Sequence, residues 1–363
     1  MTDTPAPSEH PSSARPPVEH DAPYDVAIVG GGPAGLSAAI WLGRYLRRVV
    51  LLDSGDPRNW ETRGINGYLG LPDIRPAELR GAGRAECRKY GATLVDGFVT
   101  RATRESDERF VLEYDPIPVT KAGEDRTGPG TIRTPEDNAP RPCTERIVAR
   151  RVLLAIGLKD VWPRIAGLDR IYGEKAHVCP DCDGYDARDR KTVVLGKGRK
   201  AVGMALNLYH WTSDVTVCTN GDAPELDDYL AGKLESLGIP VIETAVERIH
   251  FRGDDLRSLH FADGTTLGCQ KIFFAIGQYP ADDLGAQLGC ERDDDGHVVV
   301  DRHYHTSAFN VFAAGDLVPG AQLGVAAAAD GAIAALSIHK SLTPDERKLE
   351  RKAAEDTLTW SGG

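Results

Sequence analysis

A glycine-rich turn set between a buried strand and a helix constrains this chain more than any other feature. Residues 25–29 form a short apolar run, which is typical of a strand buried on both faces of a parallel sheet. The glycines of residues 30–35 follow, and a helical pattern then runs from Ala34 to Leu46. A second apolar run, Arg48–Asp53, completes a βαβ unit. The chain is therefore expected to be an α/β protein built on a parallel sheet.

The turn reads Gly-Gly-Gly-Pro-Ala-Gly and contains the G-x-G-x-x-G spacing of dinucleotide-binding sites. Its first glycine permits a tight turn, its third lets the backbone approach a pyrophosphate, and its last lets the helix pack on the strand. The helix N-terminus offers free N–H groups to phosphates, and the acidic residue that ends the second strand can accept hydrogen bonds from a ribose. The candidate dinucleotide-binding residues are Gly30, Gly32, Pro33, Ala34, Gly35 and Asp53.

The same pattern recurs about 165 residues later. A strand over Lys191–Leu195 leads into a glycine turn over Gly196–Ala201, then into a helix that runs to about Trp211 and a strand over Asp214–Cys218. The candidate cofactor contacts of this turn are Gly196 and Gly198. Two such units predict two Rossmann-like domains, each with three layers.

Two cysteines lie close together in the sequence Cys179-Pro180-Asp181-Cys182-Asp183-Gly184. Two intervening residues allow a disulfide if the segment turns, and Pro180 suits the first position of a helix capped by Cys179. A helix N-terminus favours the reactive thiolate form of a cysteine, and Asp183 could carry protons to a departing thiolate. The pair is therefore a candidate redox centre. Half of a zinc site and two inert cysteines are the alternatives, and a metal site is not expected.

Three further strands end in glycine. Val311–Asp316 ends in Gly-Asp, and the carboxylate of Asp316 could bind a ribityl hydroxyl or cap a backbone amide. The strands Leu153–Gly157 and Phe273–Gly277 could each mark a crossing between domains or an ordinary turn, and the pattern does not separate these interpretations.

Composition narrows the function classes. The formal net charge of −11 argues against nucleic acid as a partner. No apolar run reaches the roughly 18 residues that a membrane span needs, and the N-terminus lacks the apolar core of a secretory signal, so a cytoplasmic protein is expected. The other five of the seven cysteines are scattered, which does not suggest a disulfide framework. Residues 1–23 are predicted to be a disordered tail, and 121–142 a flexible insertion in a hairpin.

In this order, the motifs resemble the low-molecular-weight thioredoxin reductases over about residues 24–340. The resemblance implies that the first glycine turn binds the ADP half of FAD and that Gly315 and Asp316 contact the same cofactor. It also implies that Gln322 and the segment containing Asn66, residues 64–70, lie near the flavin. The Cys-x-x-Cys-Asp-Gly motif of that family matches Cys179–Gly184.

The resemblance further implies an enzyme in which Cys182 faces the flavin, Cys179 attacks the substrate disulfide and Asp183 is the general acid. It implies a discontinuous FAD domain (24–160 and 279–341), a second domain over 161–278 carrying the cysteine pair, a C-terminal tail over 342–363, and a homodimer. The expected function is FAD-dependent reduction of the disulfide of a thioredoxin-like protein or of a small molecule.

The chain departs from the family after its second nucleotide-type strand. Thr219 and Asn220 stand where basic residues usually meet the 2′-phosphate of NADPH, and they offer no carboxylate for NADH either. Arg199 and Lys200 are basic but belong to the glycine turn. NADPH, NADH and reduced ferredoxin therefore stay open as electron donors.

A dithiol oxidase and a flavin-binding redox sensor are the competing functions. Many such oxidases carry His where this chain has Asp183, which favours the reductase.

Overall fold

The computed structural model describes residues 22–59, 62–117, 145–253 and 255–349. Residues 1–21 of the predicted N-terminal tail, the whole predicted insertion over 121–142 and residues 350–363 of the C-terminal tail lie outside the described residues. The described chain forms two units, each built on its own parallel sheet.

The strands, in chain order, are β1 (Tyr24–Val29), β2 (Val49–Asp53), β3 (Thr93–Ser106), β4 (Arg109–Pro116), β5 (Glu145–Leu154), β6 (Leu158–Asp160), β7 (Ala176–His177), β8 (Thr192–Gly196), β9 (Val215–Cys218), β10 (Val241–Ile242), β11 (Val246–Arg252), β12 (Asp255–Phe261), β13 (Thr266–Gly268), β14 (Lys271–Ala275), β15 (Gln278–Pro280) and β16 (Val311–Ala313). The α-helices are α1 (Pro33–Arg44), α2 (Pro76–Lys89), α3 (Pro180–Asp183), α4 (Gly198–Leu208), α5 (Asp228–Ser236), α6 (Leu284–Gln287) and α7 (Gly324–Ser341).

The first unit has three layers. Its parallel sheet has the order β3-β2-β1-β5-β16, and an antiparallel meander β3-β4-β5 covers one face. The long strands β3 and β5 belong to both sheets, because the start of β3 pairs with β2 and its continuation pairs with β4. Helices α1, α2 and α7 bury apolar side chains against the other face. The predicted FAD-binding type of α/β fold is confirmed.

Backbone contacts fix α1 in this unit. A Cβ at Gly35 would lie 1.9 Å from the carbonyl oxygen of Gly30, and one at Gly331 of α7 would lie 2.0 Å from that of Ala34. Only glycine permits approaches this close, so α1 is held between the sheet and α7. Helix α1 ends at Arg44 rather than at the predicted Leu46, because Leu46 adopts a left-handed conformation with φ 59°.

The second unit also has three layers. Its five-stranded parallel sheet has the order β10-β9-β8-β14-β7, with α4 and α5 on one face and the antiparallel sheet β11-β12-β13 on the other. The predicted glycine turn is shorter than expected, because α4 already begins at Gly198. Arg199 and Lys200 therefore lie in the first turn of a helix, which ends at Leu208 rather than near Trp211.

The chain crosses between the units twice. It leaves β5 through β6 and returns from β14 through β15, and β6 and β15 pair antiparallel with each other. The strands Leu153–Gly157 and Phe273–Gly277 therefore do mark the crossings, which the sequence left undecided. The last strand of the first sheet, β16, comes after the second unit in the chain. The limits 24–160, 161–278 and 279–341 stay predictions.

Replacing Gly331 with alanine should destabilise the protein, because the new methyl group would meet the backbone of α1 rather than a movable side chain. We expect a loss of about 1–3 kcal/mol, as for other overpacked sites. Gly203→Ala in α4 is the matched control, because no atom lies within 4 Å of its Cβ position. The control should gain up to about 1 kcal/mol. Thermal unfolding followed by circular dichroism measures both, and equal midpoints for the two variants would contradict the close α1–α7 contact.

Candidate active site

A cavity of about 520 Å³ lies where the two units meet. This volume is within the range of roughly 300–1,000 Å³ that is typical of small-molecule sites. The first glycine turn, the loop after β2, the Cys179–Asp183 segment and residues 314–327 all contribute to its wall. Of the residues named from the sequence as site candidates, all but Gly35, Gly196 and Gly198 belong to this lining. The cavity wall therefore brings the dinucleotide motif and the cysteine pair together.

The first glycine turn has the geometry that a pyrophosphate needs. Gly30 has φ 107°, and a Cβ there would lie 2.2 Å from the carbonyl oxygen of Ala155. Gly32 differs, because nothing lies within 4 Å of its Cβ position, which leaves room for a ligand against the backbone. Gly32 is also the N-cap of α1, and no side chain caps this helix. Its first N–H groups are thus available to phosphate oxygens. These residues fit the ADP half of FAD.

Asp53 lies at the end of β2 and is only 5% exposed. One oxygen, Oδ2, is 2.5 Å from Arg80 and 3.2 Å from Arg84, while Oδ1 accepts a hydrogen bond from the backbone N–H of Gly55. The two arginines hold the carboxylate beside the glycine turn. A Cβ at Gly31 would lie 2.1 Å from Oδ2, so this close approach requires the middle glycine as well. The arginine partners had no signal in the sequence.

Arg58 is a functional candidate that the sequence did not reveal. It binds both oxygens of Asp160 at 2.7 Å, Asp316 at 3.0 Å and the side-chain oxygen of Gln322 at 2.8 Å. Burial opposes its charge, but these carboxylates outweigh that effect and raise the pKa of Arg58. Asp316 thus pairs with a cation rather than with a backbone amide. Arg58 holds Asp316 and Gln322 in place at the cavity wall.

The structure joins Cys179 and Cys182 in a disulfide, with Cα atoms 5.3 Å apart. Pro180 begins α3, and the Sγ of Cys179 accepts a hydrogen bond of 3.1 Å from the backbone N–H of Cys182, as the sequence predicts for a capping cysteine. Asn66 reaches across from the first unit and donates a hydrogen bond of 3.0 Å to the carbonyl oxygen of Cys182. This contact joins the loop after β2 to the redox segment.

Asp183 lies directly after the disulfide and is flanked by two side chains. Its Oδ2 is 3.3 Å from Nδ1 of His177, and its Oδ1 is 3.5 Å from Nδ2 of Asn66. The imidazole of His177 is buried, and this residue belongs to no motif that the sequence reveals. The local sequence at His177, a single histidine between Ala176 and Val178, gave no sign of this contact.

The other described cysteines do not belong to the site. Burial raises the pKa of the Cys87 thiol to about 11 and those of Cys218 and Cys269 to about 12. Cys290 is buried too, with its pKa also raised by burial. These four thiols stay protonated and poorly nucleophilic at neutral pH. Among the described residues the Cys179–Cys182 pair is the redox-capable one.

The second glycine turn is closed by its own chain. The backbone N–H of Gly198 donates a hydrogen bond of 2.9 Å to the carbonyl oxygen of Pro224. Lys197 forms ion pairs with Glu225 at 2.8 Å and Asp222 at 3.4 Å, so two carboxylates lie beside the turn. A phosphate at Gly198 would have to displace the carbonyl of Pro224 and approach these negative charges.

The two residues after β9 form hydrogen bonds within the second unit. The hydroxyl of Thr219 donates to the carbonyl oxygen of Asp222, and Oδ1 of Asn220 accepts from the backbone N–H of Val246. Neither side chain carries a charge that would select a 2′-phosphate or a 2′-hydroxyl. Within the described part of the chain, no helix is both long and apolar enough to span a bilayer.

Comparison with known proteins gives consistent matches. The profile of the pyridine nucleotide-disulphide oxidoreductase family matches residues 24–331. The chain is 28% identical over 304 residues to a protein of Arthroderma benhamiae named probable thioredoxin reductase, covering 77% of this chain and 69% of that one. The crystal structure of HlmI superposes with a TM-score of 0.77 and 33% identity, covering 89% of this chain and 93% of HlmI.

A third relative is longer. One component of the alkyl hydroperoxide reductase of Staphylococcus aureus is 26% identical over 306 residues, which are 82% of this chain and 55% of the relative. The chain thus spans about half the length of that protein.

The two glycines of the first turn should respond differently to substitution. Gly32 has φ −77°, which any residue adopts, so Gly32→Val should fold normally but fill the space of the pyrophosphate. We expect FAD to bind at least about tenfold more weakly, or ~1.4 kcal/mol. Gly30→Val should lose both fold and cofactor, because its Cβ would meet a backbone carbonyl. Flavin absorbance per chain and the thermal midpoint distinguish these outcomes, and full flavin content in Gly32→Val would contradict the assignment.

Proposed function

The chain belongs to the pyridine nucleotide-disulphide oxidoreductase family, and we propose that it is a reductase that passes electrons from FAD through Cys179–Cys182 to an external disulfide. The observation that carries this proposal is that the disulfide and the open glycine turn share the wall of one cavity. FAD binding and flavoprotein oxidoreductase activity follow from the family. The substrate class, a thioredoxin-like protein or a small disulfide, is supported by the relative named as a thioredoxin reductase.

The first unit supplies the groups that would hold FAD. The turn at Gly30 and Gly32 with the N-terminus of α1 would bind the pyrophosphate, and Asp53 with its two arginines lies beside it. Asp316 and Gln322, held by Arg58, line the same cavity. When bound, FAD supplies the electron pair that reduces the disulfide.

The reduced cysteine pair would act by thiol–disulfide exchange. The Cys179 thiolate attacks one sulfur of the substrate, a mixed disulfide forms, and the first substrate thiolate leaves with a proton from Asp183. The Cys182 thiol then gives its proton to Asp183, and the resulting thiolate attacks the sulfur of Cys179. This restores the protein disulfide and releases the second substrate thiolate, which takes that proton from Asp183. One disulfide is reduced and one is formed, so electrons and protons balance.

The second candidate is a reaction in the opposite direction, in which a dithiol substrate is oxidised and electrons leave the flavin for oxygen. The second glycine turn is occupied by a hydrogen bond from within the chain, which favours a reaction that does not require a bound nicotinamide. Both the oxidase and a reductase that receives electrons from a protein such as ferredoxin meet this condition. Asp183 in place of His favours the reductase. A redox sensor without turnover is the third possibility, and catalytic turnover of any disulfide or dithiol separates it from both enzymes. A homodimer in the reducing cytoplasm remains part of the proposal.

Substitution of the two cysteines should give unequal spectra. Cys179→Ser leaves the Cys182 thiolate beside oxidised FAD, and we expect a long-wavelength charge-transfer absorbance. Cys182→Ser should lack that band while keeping FAD, and both variants should lose turnover. Asp183→Asn should keep flavin and disulfide but turn over about 10²–10⁴-fold more slowly, the usual value of general acid catalysis. Parent-like turnover in both serine variants would contradict the proposal. If Cys182→Ser rather than Cys179→Ser showed the charge-transfer band, the mechanism would stand with the roles of the two thiols exchanged.

Reduction of the flavin by NADPH and NADH should be slow and should discriminate poorly between them, because Thr219 and Asn220 select neither. Glu225→Gly should speed this reduction, since it removes a carboxylate beside the turn at a position where φ is 53°. Anaerobic titration of the flavin spectrum with NADPH, NADH and reduced ferredoxin gives the measurement. A strong preference of the parent for one nicotinamide would contradict this account of the second turn.

A further inference from the structure

A line of buried groups leads away from Asp183 into the second unit. His177 is 4% exposed and Lys271 is 8% exposed. Nδ1 of His177 lies 3.3 Å from Asp183, and Nε2 of the same ring lies 3.2 Å from the Nζ of Lys271. The residue next to the redox pair therefore stands at one end of a continuous row of three groups that can exchange protons.

The sheet explains why these side chains meet. Strands β7 and β14 are parallel, with His177 opposite Phe273. Lys271 lies two residues before Phe273 and so points to the same face of the sheet. The carbonyl oxygen of Glu174 completes the arrangement, because it lies 2.8 Å from the Nζ of Lys271 and 3.2 Å from Nε2 of His177.

Two protonation states satisfy this geometry. In one, the Lys271 ammonium donates to Nε2, so the neutral ring carries its proton on Nδ1 and donates it to Asp183. In the other, Lys271 has given a proton to Nε2 of His177, and Nδ1 of His177 has given its proton to Asp183. The ring then carries its proton on Nε2, and this N–H faces the carbonyl oxygen of Glu174. In the second state Lys271 is neutral and still donates to the same carbonyl.

We propose that Lys271, His177 and Asp183 form a proton relay that supplies the proton taken up by the leaving thiolate during exchange at Cys179–Cys182. The proposal rests on the proposed function, because the relay serves that exchange. One N–H bond of the Lys271 ammonium breaks, one S–H bond forms on the leaving group, and no electrons move within the relay. The relay is protonated again through Asp183 when the Cys182 thiol loses its proton in the second step of the exchange. Asp183 is the catalytic residue, and His177 and Lys271 are positioning residues that act through it.

The surroundings of Lys271 suit a proton donor. Burial lowers the pKa of its ammonium, and the nearby charge of Lys175 acts in the same direction. Asp186, Asp183 and Glu174 oppose this effect. An ammonium held in a poorly solvated site gives up its proton more readily than an exposed one.

The test uses the dependence of exchange on the leaving group. The holoprotein is reduced anaerobically with dithiothreitol, desalted and mixed with 5,5′-dithiobis(2-nitrobenzoate) or with bis(2-hydroxyethyl) disulfide. The aromatic thiolate leaves without help, whereas the alkyl thiolate has a high pKa and needs a proton. Loss of a relay should therefore slow only the reaction with the alkyl disulfide, while a general loss of structure would slow both.

Two variants remove proton transfer while keeping the charge or the hydrogen bond of the residue they replace. His177→Asn can still point an N–H at Asp183, and Lys271→Arg keeps a positive charge, but neither can pass a proton at neutral pH. Each should slow the reaction with the alkyl disulfide at least about tenfold, and no more than the ~10²–10⁴-fold expected when a general acid is lost altogether. The rate with the aromatic disulfide should stay within about twofold of that of the parent. Added to Asp183→Asn, either change should have little further effect. Lys191→Gln, an exposed lysine outside this row, is the control and should match the parent.

The outcomes distinguish the two proposals. Parent-like alkyl exchange in both His177→Asn and Lys271→Arg would overturn the relay while leaving the cysteine mechanism intact. Equal slowing with both disulfides would assign the two residues a structural role and would also overturn it. If the reduced parent reacted with neither disulfide, the proposed function itself would fail, and the relay with it.

Discussion

The close approach of backbone to backbone around the first glycine turn is the constraint on which the rest of the site depends. Gly30 lies against the carbonyl of Ala155, Gly35 against that of Gly30, and Gly331 against that of Ala34. These contacts hold the N-terminus of α1 at the carboxyl edge of the sheet, where α/β proteins bind their ligands. The cavity wall, with Gly32 facing open space, follows from that placement. The contact from Asn66 to Cys182 joins the disulfide segment to the loop that lines the same cavity.

The two nucleotide-type turns show how similar sequences reach different outcomes. Both begin with a glycine at positive φ whose Cβ would meet a carbonyl oxygen of a neighbouring strand. At the first turn the remaining backbone is open, and arginines balance the nearby carboxylates of Asp53 and Asp316. At the second, the carbonyl oxygen of Pro224 accepts a hydrogen bond from the amide of Gly198, and two carboxylates form ion pairs with Lys197. Hydrogen bonding therefore leaves the backbone of the first turn open to an anionic cofactor and occupies the amide of Gly198 at the second.

Local sequence patterns were enough to predict the βαβ units, the α/β class and the capping role of Cys179, because each depends on neighbours along the chain. Helix ends were less accurate, since leucine is a good helix former and nothing in the sequence around Leu46 marks its left-handed conformation. Arg58, His177 and Lys271 were missed for a different reason. Arg58 meets Asp160 and Asp316 across 102 and 258 residues, and His177 meets Lys271 across 94. Only the folded chain brings such partners together, and no local spacing marks them.

If electrons pass between FAD and an external substrate through Cys179–Cys182, an anaerobic reductive titration must reduce both the flavin and the disulfide. Dithionite is added stepwise to the holoprotein while flavin absorbance and free thiols are followed. We expect the parent to take up about four electrons per chain, two for FAD and two for the disulfide, and its thiols to appear together with flavin bleaching. The variant with both cysteines replaced by serine should take up two. Equal uptake by the two proteins, or thiols that never appear as the flavin is reduced, would contradict the account.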